Sequence, residues 1–326
     1  MKKRFPELGI SLLICVLLPV LLFQVISLFR HQEEGNSSLE TTTGTILVEN
    51  SVYSNVLVKM KDGYVEEIPL EEYVLSVVLR EMPADFNKEA LKAQAVVART
   101  YTVRHMEKTG RHIGADVCAD SSCCQGYRTP DAFLQDGGSA ENLEKVKEAV
   151  IDTHGEILVY DGSAIDATYF SCSGGATEDA VAVWGADVPY LRATKSPGEE
   201  EAKHYTDTVQ LSVGTVLTEL GIDLKDNRDF KIENITYTSG GGINTAEICG
   251  KIYKGTELRK KLGLKSTSIV ITVAGDTVTI TTKGYGHRVG MSQYGAEAMA
   301  KTGSDYQQIL YHYYQGVQLL SLDALY

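Results

Sequence analysis

The segment from Ile68 to Tyr101 reads IPLEEYVLSVVLREMPADFNKEALKAQAVVARTY and contains two helix-forming patterns. The apolar residues of the first pattern recur at the spacing of one helix face, and they are Leu70, Tyr73, Val74, Val77 and Val78. Pro83 disfavours a helical conformation in the residue that precedes it. The pattern therefore predicts a helix over Leu70–Arg80 that ends near Pro83, and a second helix over Lys88–His105.

Glu81 continues the apolar stripe of the first helix, three residues after Val78 and four after Val77. A carboxyl group at the end of such a stripe is partly removed from water, which raises its pKa. A raised pKa suits a general acid that works near neutral pH. The alternative is that Glu81 turns outward at a frayed helix end and pairs with Arg80.

The second helix carries polar groups on an otherwise small-residue pattern. Those that could line a cleft are Lys92, Gln94, Arg99 and Tyr101. The same four residues also fit an ordinary solvated helix face, and their spacing does not separate the two interpretations.

The rest of the chain mixes helical and strand patterns without a regular alternation, which favours a mixed α+β fold over a doubly wound sheet. Further helices are predicted over residues 140–153, 215–220, 256–262, 293–302 and 306–313. Strands are predicted over residues 45–52, 56–59, 157–160, 167–170, 235–238, 268–273 and 277–281. We expect one large domain over residues 45–326, with room for two lobes around a cleft.

The N-terminus contains the most apolar stretch, Leu8–Phe29, which is 22 residues long and has no charge. About 20 such residues cross a bilayer as a helix. Because Lys2, Lys3 and Arg4 precede the stretch, residues 1–7 are expected to stay cytoplasmic, residues 8–29 to form a single transmembrane anchor, and residues 30–44 to form a linker. A cleaved signal peptide is the alternative, but its apolar region is shorter and ends at a small-residue cleavage site.

The formal net charge of −12 argues against nucleic acid as a partner, since phosphate binding requires dense Lys and Arg. The part after Arg30 is more acidic still, because the preceding residues contain four basic side chains and one acidic one. An anionic substrate must therefore be held by local contacts rather than by net charge.

Four potential metal ligands lie within a short stretch of the chain, and they are His112, Cys118, Cys123 and Cys124. Three thiolates and one imidazole suit tetrahedral zinc, and a closed set of four protein ligands is typical of a structural site. A disulfide is the alternative outside the cytoplasm. Three clustered cysteines leave one unpaired unless Cys172 or Cys249 joins them, and adjacent cysteines are geometrically tight as ligands.

Three long motifs follow one another along the predicted domain. They are VLREMP with EALKAQAVVARTY, then YFSCSGGATEDAVAVWGADVPYL from Tyr169, then KGYGHRVGMSQYGAEAMAKTG from Lys283 followed by ILYHYY. On these motifs the chain resembles the family of stage II sporulation protein D, SpoIID, and the related LytB-type amidase enhancers. Two positions depart from the family pattern: Phe86 stands where tryptophan is frequent, and Arg288 stands where glycine is common.

The resemblance implies a peptidoglycan lytic transglycosylase in which Glu81 is the catalytic acid and base. Such an enzyme cleaves the bond between N-acetylmuramic acid and N-acetylglucosamine and closes a 1,6-anhydro ring. One carboxylate then suffices, whereas ordinary glycosidases use two. A hydrolase would need a second carboxylate such as Glu178 or Asp305, and the sequence cannot place either beside Glu81.

The resemblance also implies that the Tyr169–Gly175 loop and the glycine loop after Lys283 frame a glycan cleft. Candidates for sugar contacts are Tyr169, Ser171, Ser173, His287, Ser292, Gln293 and Tyr294, each of which could instead be a structural turn residue. Some SpoIID proteins carry zinc at the loop that matches the cysteine cluster.

Family membership further implies a place in the mother-cell membrane, with the catalytic domain facing the forespore, and a role in engulfment. The implied partners are glycan strands, a cell-wall amidase and a membrane protein of the engulfment machinery. A non-catalytic enhancer of a cell-wall amidase is the alternative function. A zinc-dependent peptidase is disfavoured because the cysteine-rich set leaves no open coordination position.

Overall fold

The computed structural model describes residues 53–108, 111–223 and 229–325. The predicted anchor, the predicted linker and the predicted strand over residues 45–52 lie outside these ranges. Within them we find no helix that is both long and apolar enough to cross a bilayer. The described part combines helices with small sheets, so the mixed α+β prediction is confirmed there.

The helix pair foreseen in the Ile68–Tyr101 segment organises the first half of the fold. Helix α1 spans Leu70–Glu81, and the residue after it, Met82, is extended, as expected before a proline. Helix α2 spans Lys88–Glu107, and the Asn87 side chain caps it by accepting a hydrogen bond from the backbone N–H of Glu89. The short loop between them leaves Glu81 at the last turn of α1.

The remaining elements of the first half surround this pair. The strands are β1 (Asn55–Lys59), β2 (Val65–Pro69), β3 (Val117–Cys118), β4 (Glu156–Tyr160), β5 (Ser163–Ala164), β6 (Tyr169–Phe170), β7 (Gly175–Ala176) and β8 (Lys195–Ser196). The helices are α3 (Pro130–Gln135), α4 (Ala140–Asp152) and α5 (Ala180–Trp184). The hydrogen-bonded strand orders are β2-β1-β3 in one sheet and β7-β8 in another.

A second hydrophobic core follows in the chain. Its elements are β9 (Thr206–Ser212), α6 (Val213–Leu220), β10 (Ile232–Tyr237), β11 (Ile243–Ile248), β12 (Lys251–Lys254), α7 (Gly255–Lys261), β13 (Ser268–Ala274) and β14 (Thr277–Lys283). They form the sheets β13-β14-β9 and β10-β11-β12, which are antiparallel throughout.

The C-terminal elements return to the first core. They are β15 (Met291–Ser292), α8 (Gln293–Lys301), α9 (Tyr306–Tyr313), β16 (Gln318–Ser321) and α10 (Leu322–Leu325). Strand β15 pairs in parallel with β6, and β16 joins the sheet of order β16-β4-β5. The second core is therefore an insertion between two strands that lie side by side, and the pairing brings the loop after Lys283 next to Tyr169.

Arg288 connects the two cores. It has a positive φ of 65°, a conformation that favours glycine, which is the residue common at this position in the family. Its buried guanidinium donates to the carboxylate of Glu178 at 3.0 Å, and to the backbone oxygens of Ala176 and Gly240, both at 2.8 Å. These bonds offset the backbone strain and the cost of burying a charge.

Candidate functional site: a half-buried carboxylate and a cysteine–histidine cluster

Glu81 ends α1 with its side chain partly buried. Burial raises the pKa of this carboxyl group above its ordinary value, while a hydrogen bond from the backbone of Gly126 and the charge of Arg80 act in the opposite direction. The net shift is upward, so a larger fraction of Glu81 holds its proton near neutral pH than an exposed glutamate would. This is the electrostatic state that a general acid requires.

The backbone N–H of Gly126 donates a short hydrogen bond to Glu81 Oε1. A Cβ atom on Gly126 would lie 2.6 Å from Oε1 and 2.5 Å from the Cγ atom of Arg80, closer than such atoms approach. Only glycine therefore lets the backbone come near enough to hold the carboxyl group. Arg128 fixes the same segment on α1, because its backbone N–H donates to the carbonyl oxygen of Ser76 at 3.0 Å.

Gly126→Ala is expected to displace the Glu81 side chain, because the new methyl group and Oε1 cannot occupy the same space. We expect a loss of activity of about tenfold to a hundredfold from misplacement of the acid, with the melting temperature changed by only a few degrees. Tyr127→Phe, one residue further on, serves as the control. Equal activity of Gly126→Ala and the wild type would contradict this role of Gly126.

Three of the residues predicted from the sequence gather around Glu81. The Nε2 group of Gln293 donates to the backbone oxygen of Glu81 at 3.0 Å and to Oε1 of Gln94 at 3.3 Å. Burial raises the pKa of Tyr169 well above its ordinary value, and the negative charge of the nearby Glu81 carboxyl group raises this pKa further. Tyr169 thus stays protonated, and its hydroxyl group donates to Oε1 of Gln125 at 3.2 Å.

Arg99 does not line a surface, which differs from the predicted sugar contact. Its side chain is fully buried, and the guanidinium forms two hydrogen bonds of 2.7 and 2.6 Å with the carboxylate of Glu71. A third bond of 3.1 Å reaches the backbone oxygen of Glu156. The sequence offered Arg99 as a cleft residue or a solvated one, but its guanidinium reaches Glu71 in the first turn of α1, so Arg99 joins the two helices.

Lys92 is engaged in surface ion pairs. Its Nζ atom lies 3.0 Å from the carboxylate of Glu89 and 3.2 Å from that of Asp152. The ammonium group also lies 5.6 Å from the ring centroid of Tyr306. The structure gives Lys92 contacts with α4 and α9, and none of its described contacts is with Glu81.

The predicted serines serve local structure. The Ser173 hydroxyl group is buried and donates to the carboxylate of Glu199 at 2.9 Å. Ser292 caps α8 by accepting a hydrogen bond of 3.2 Å from the backbone N–H of Gly295. The backbone oxygen of Ser171 accepts a hydrogen bond of 3.0 Å from the backbone N–H of Tyr294. Through these bonds the Tyr169–Gly175 loop and the start of α8 are held together beside Glu81.

Tyr294 is partly exposed, and its ring packs edge-on against Phe86, with 5.1 Å between the ring centroids. Phe86 lies in the loop between α1 and α2, where tryptophan is frequent in the family. An aromatic residue at this position therefore connects the loop after Glu81 to the start of α8.

His287 is held as a neutral imidazole. Burial, followed by the charge of Arg259, lowers its pKa to about 4, although a hydrogen bond with the backbone of Tyr169 favours the charged form. Its Nδ1 atom accepts a hydrogen bond of 3.2 Å from the backbone N–H of Val289. This bond ties the ring to the backbone of its own loop.

The lowered pKa of His287 predicts a loss of stability in acid. Between about pH 4 and pH 6.5 the unfolded chain binds a proton at this residue and the folded chain does not, so stability falls as the pH drops through this window. The free energy of unfolding is unaffected above pH 6.5 and falls by about 3 kcal/mol across the window. Denaturant melts of the wild type and His287→Gln at pH 4 to 7 would measure it. Parallel stability curves for the two proteins would contradict the assignment.

A second cluster unites the four predicted ligands. One donor atom from each of His112, Cys118, Cys123 and Cys124 lies within 4.8 Å of the others. The Nε2 atom of His112 is 3.2 Å from Sγ of Cys124 and 3.8 Å from Sγ of Cys123. A tetrahedral zinc site with ordinary bond lengths separates its donor atoms by about 3.4–3.8 Å. The donor set therefore fits a metal ion, and the adjacent cysteines both contribute their sulfur atoms.

The disulfide alternative does not fit the described residues, in which Cys118, Cys123, Cys124, Cys172 and Cys249 are all free thiols. Cys172 is buried beside Glu199, with its sulfur 3.2 Å from the carboxylate. Cys249 lies in the second core, where its sulfur is 3.8 Å from the backbone oxygen of Lys231. Neither of these two cysteines joins the cluster.

The surroundings of the cluster favour an ion that keeps its thiols deprotonated. Burial raises the pKa of the Cys124 thiol to about 12, so a cation must bind for this group to be a thiolate near neutral pH. Arg111 donates to the backbone oxygen of Cys123 and to the Tyr101 hydroxyl group, and its charge offsets the net negative charge of three thiolates around a divalent ion. A cavity of about 430 Å³ lies beside the cluster, and His112, Cys118 and Cys123 are among the residues that line it.

Tyr101, one of the predicted sugar contacts, belongs to the surroundings of this cluster. Its ring stacks on His105 with 4.0 Å between the centroids, and its pKa is raised by burial and then by the nearby Cys124. The structure thus places Tyr101 beside the cysteines rather than beside Glu81.

One continuous segment joins the two sites. Cys124 is a member of the cluster, Gln125 is buried and donates to Thr102 at 3.1 Å, and Gly126 holds Glu81. Neither Gln125 nor Gly126 was predicted from the sequence. A glycine placed two residues after the last ligand of the cluster is the signal that could have pointed to this segment.

A partly buried carboxylic acid and a cysteine–histidine cluster thus lie on one α+β scaffold, joined by the segment from Cys124 to Gly126. The family model described as SpoIID, stage II sporulation protein, matches residues 59–160, which contain both sites. Stage II sporulation protein D of Bacillus amyloliquefaciens is 40% identical over 302 residues, covering 90% of this chain and 88% of that protein. The chain belongs to the SpoIID family of sporulation proteins.

Two further relatives come from Bacillus subtilis (strain 168). Its stage II sporulation protein D is 37% identical and covers 99% of this chain and 97% of its own length. A protein named amidase enhancer is 32% identical over 75% of this chain, which corresponds to 40% of that longer protein. The family resemblance read from the three motifs is thus confirmed.

Proposed function

We propose that this protein is a lytic transglycosylase that cleaves peptide-free glycan strands of peptidoglycan during engulfment. The observation that carries the proposal is the state of Glu81, a partly buried carboxylic acid of raised pKa that one backbone N–H orients. The reaction class comes from the resemblance of the EMP motif, with Glu81 at its acidic position, to the family's catalytic motif.

In the first step Glu81 donates its proton to the glycosidic oxygen, and the bond between that oxygen and C1 of N-acetylmuramic acid breaks. The departing N-acetylglucosamine leaves with a free 4-hydroxyl group. The Glu81 carboxylate then takes the proton of the C6 hydroxyl group while O6 bonds to C1, which closes the 1,6-anhydro ring. Glu81 recovers its proton, and no water molecule is consumed.

The contacts of the two carboxylates considered from the sequence, Glu178 and Asp305, favour ring closure over hydrolysis. Of the two candidates from the sequence, Glu178 is buried against Arg288 at 3.0 Å. Asp305 caps α9, because its side chain accepts from the backbone N–H of Gln308 at 2.8 Å. Neither is free to act at Glu81 as the general base of an inverting hydrolase or as the nucleophile of a retaining one.

The test is to incubate the purified full-length protein, kept in detergent, with peptide-free glycan strands and to identify the new ends by mass spectrometry. Anhydro-ended fragments are the expected product. Reducing ends would indicate a hydrolase instead. Intact strands would overturn the transglycosylase proposal.

We also propose that the cysteine–histidine cluster holds one structural zinc ion. His112, Cys118, Cys123 and Cys124 would bind it, and a closed four-ligand site supports folding rather than chemistry. Protein purified without added metal is expected to contain about one zinc per chain by elemental analysis, and chelation is expected to lower the melting temperature. A zinc content near zero in folded, active protein would contradict this.

The second candidate function is a glycan-binding enhancer of a cell-wall amidase, and the similarity to a protein named amidase enhancer favours it.

Under either function we propose that residues 8–29 anchor the chain in the mother-cell membrane and that the domain from residue 45 onwards lies outside the cytoplasm. We further propose an amidase and a membrane protein of the engulfment machinery as partners. Stimulation of an amidase by a variant that cannot cleave glycan would support the enhancer function.

A further inference from the structure

Trp184 is the only tryptophan of the chain, and nearly half of its surface is exposed. It is the last residue of the short helix α5, which Gly185 terminates in a left-handed conformation with φ of 77°. Val181 is exposed one turn earlier on the same helix, with 46% of its surface accessible. Large apolar side chains that remain exposed together in this way mark binding surfaces.

Two further aromatic rings follow Trp184 in a row, each tilted or edge-on to its neighbour. The centroid of the Trp184 ring lies 5.4 Å from that of His287, and the His287 ring in turn packs on Phe170 at 5.5 Å. Phe170 is buried. Because the His287 ring contacts both Trp184 and Phe170 and is itself hydrogen-bonded through Nδ1, it holds Trp184 as an exposed apolar plate.

The plate is connected to Glu81 through Tyr169. The backbone of Tyr169 hydrogen-bonds the His287 ring, while its own ring lies within electrostatic range of the Glu81 carboxyl group. Strand β6 contains both Phe170, which contacts the His287 ring next to Trp184, and Tyr169, which lies near Glu81. The Tyr169 hydroxyl group also donates to Gln125, the residue before the Gly126 that holds Glu81, so a chain of contacts runs from the Glu81 carboxyl group to Trp184.

We propose that Trp184 is a sugar-binding platform, on which the apolar face of an N-acetylhexosamine ring stacks next to the bond that Glu81 cleaves. A pyranose ring carries its C–H bonds on its faces and its polar groups at its edge, which matches an exposed indole ring backed by His287. The bound sugar need carry no charge, so the acidic balance of the chain does not oppose it. This assignment rests on the proposed function for the identity of the glycan.

Intrinsic fluorescence tests the platform directly, since Trp184 is the only tryptophan. The full-length Glu81→Gln variant in detergent is titrated with an N-acetylglucosamine tetramer and, separately, with peptide-free glycan strands. We expect a saturable change in emission whose midpoint agrees with the Kd from calorimetry. Binding by calorimetry without a change in emission, or no binding of either ligand, would overturn the platform.

Variants in the Glu81→Gln background provide the second measurement. Trp184→Ala is expected to raise the Kd at least tenfold and Trp184→Phe about threefold, because the first removes the aromatic surface under the sugar and the second only reduces its area. Tyr237→Ala removes a comparably exposed aromatic side chain from β10 in the second core and is expected to leave the Kd unchanged. An unchanged Kd in Trp184→Ala, with its melting temperature preserved, would overturn the proposal.

The outcome separates the platform from the transglycosylase. If the wild type leaves glycan intact while Trp184 still reports binding, the platform stands and the enhancer function is favoured. If the wild type cleaves glycan and the otherwise unmodified Trp184→Ala protein has the same KM, the platform is wrong and the reaction stands. A raised KM with a nearly unchanged kcat is the result we expect for a residue that binds sugar beside the reacting bond.

Discussion

Glu81→Gln is expected to reduce the rate of glycan cleavage by about 10²–10⁴-fold, the usual contribution of a general acid. Glutamine has the same shape and still accepts the hydrogen bond from Gly126, but it has no proton to give. The released anhydro ends, counted over time by mass spectrometry, give the rate. Because burial raises the pKa of Glu81, the charged form is disfavoured in the fold, and the variant is expected to be at least as stable as the wild type at pH 7.

Glu72→Gln is the matched control for this variant. Glu72 lies on the same helix as Glu81 but in its first turn, where it is exposed. Its substitution is expected to leave the rate unchanged. Full activity of Glu81→Gln would show that Glu81 is not the catalytic acid. Comparable losses of activity in both variants would point to a general effect on α1.

Arg99→Met is expected to destabilise the protein by about 3–5 kcal/mol, because it leaves the buried carboxylate of Glu71 without its partner. Burial by itself raises the pKa of Glu71, and Arg99 reverses this effect and lowers it below its ordinary value. Removing Arg99 therefore leaves the Glu71 carboxylate charged and unpaired in the protein interior, or forces Glu71 to take up a proton. Chemical denaturation at pH 7 measures the loss.

The double variant Glu71→Met/Arg99→Met is expected to recover part of this loss, since two apolar side chains can replace a buried ion pair. Recovery is partial because Glu71 also accepts from the backbone N–H of Gly155, and Arg99 also donates to the backbone oxygen of Glu156. Lys92→Met, which breaks only surface ion pairs on the same helix, is expected to cost less than about 1 kcal/mol. Equal losses in Arg99→Met and Lys92→Met would contradict the buried pair.

Local patterns in the sequence predicted the helix pair closely. Helix α1 begins at Leu70 as predicted and extends one residue further, to Glu81, because the proline acts on Met82. Helix α2 begins at Lys88 and continues to Glu107, two residues beyond the prediction. The four ligands of the cluster could be foreseen for a similar reason, since they are close in the sequence.

Contacts between distant parts of the chain could not be foreseen. Gly126 and Glu81 are 45 residues apart, and Arg99 and Glu71 are 28 apart, so no periodicity connects them. Strand β9 was missed because its residues, TDTVQLS, alternate between exposed and partly buried positions without a strong apolar face. Strands β11 and β12 were missed as well, since each becomes a strand by pairing with its neighbour.

The parallel pairing of β6 with β15 has a consequence for the order in which the protein is made. Synthesis produces Tyr169 long before its strand partner Met291, and the whole second core is translated in between. The last contact around Glu81, from Gln293, is available only after that insertion has emerged. A nascent or truncated chain that ends within the second core therefore has its acid but lacks the surroundings that complete the site.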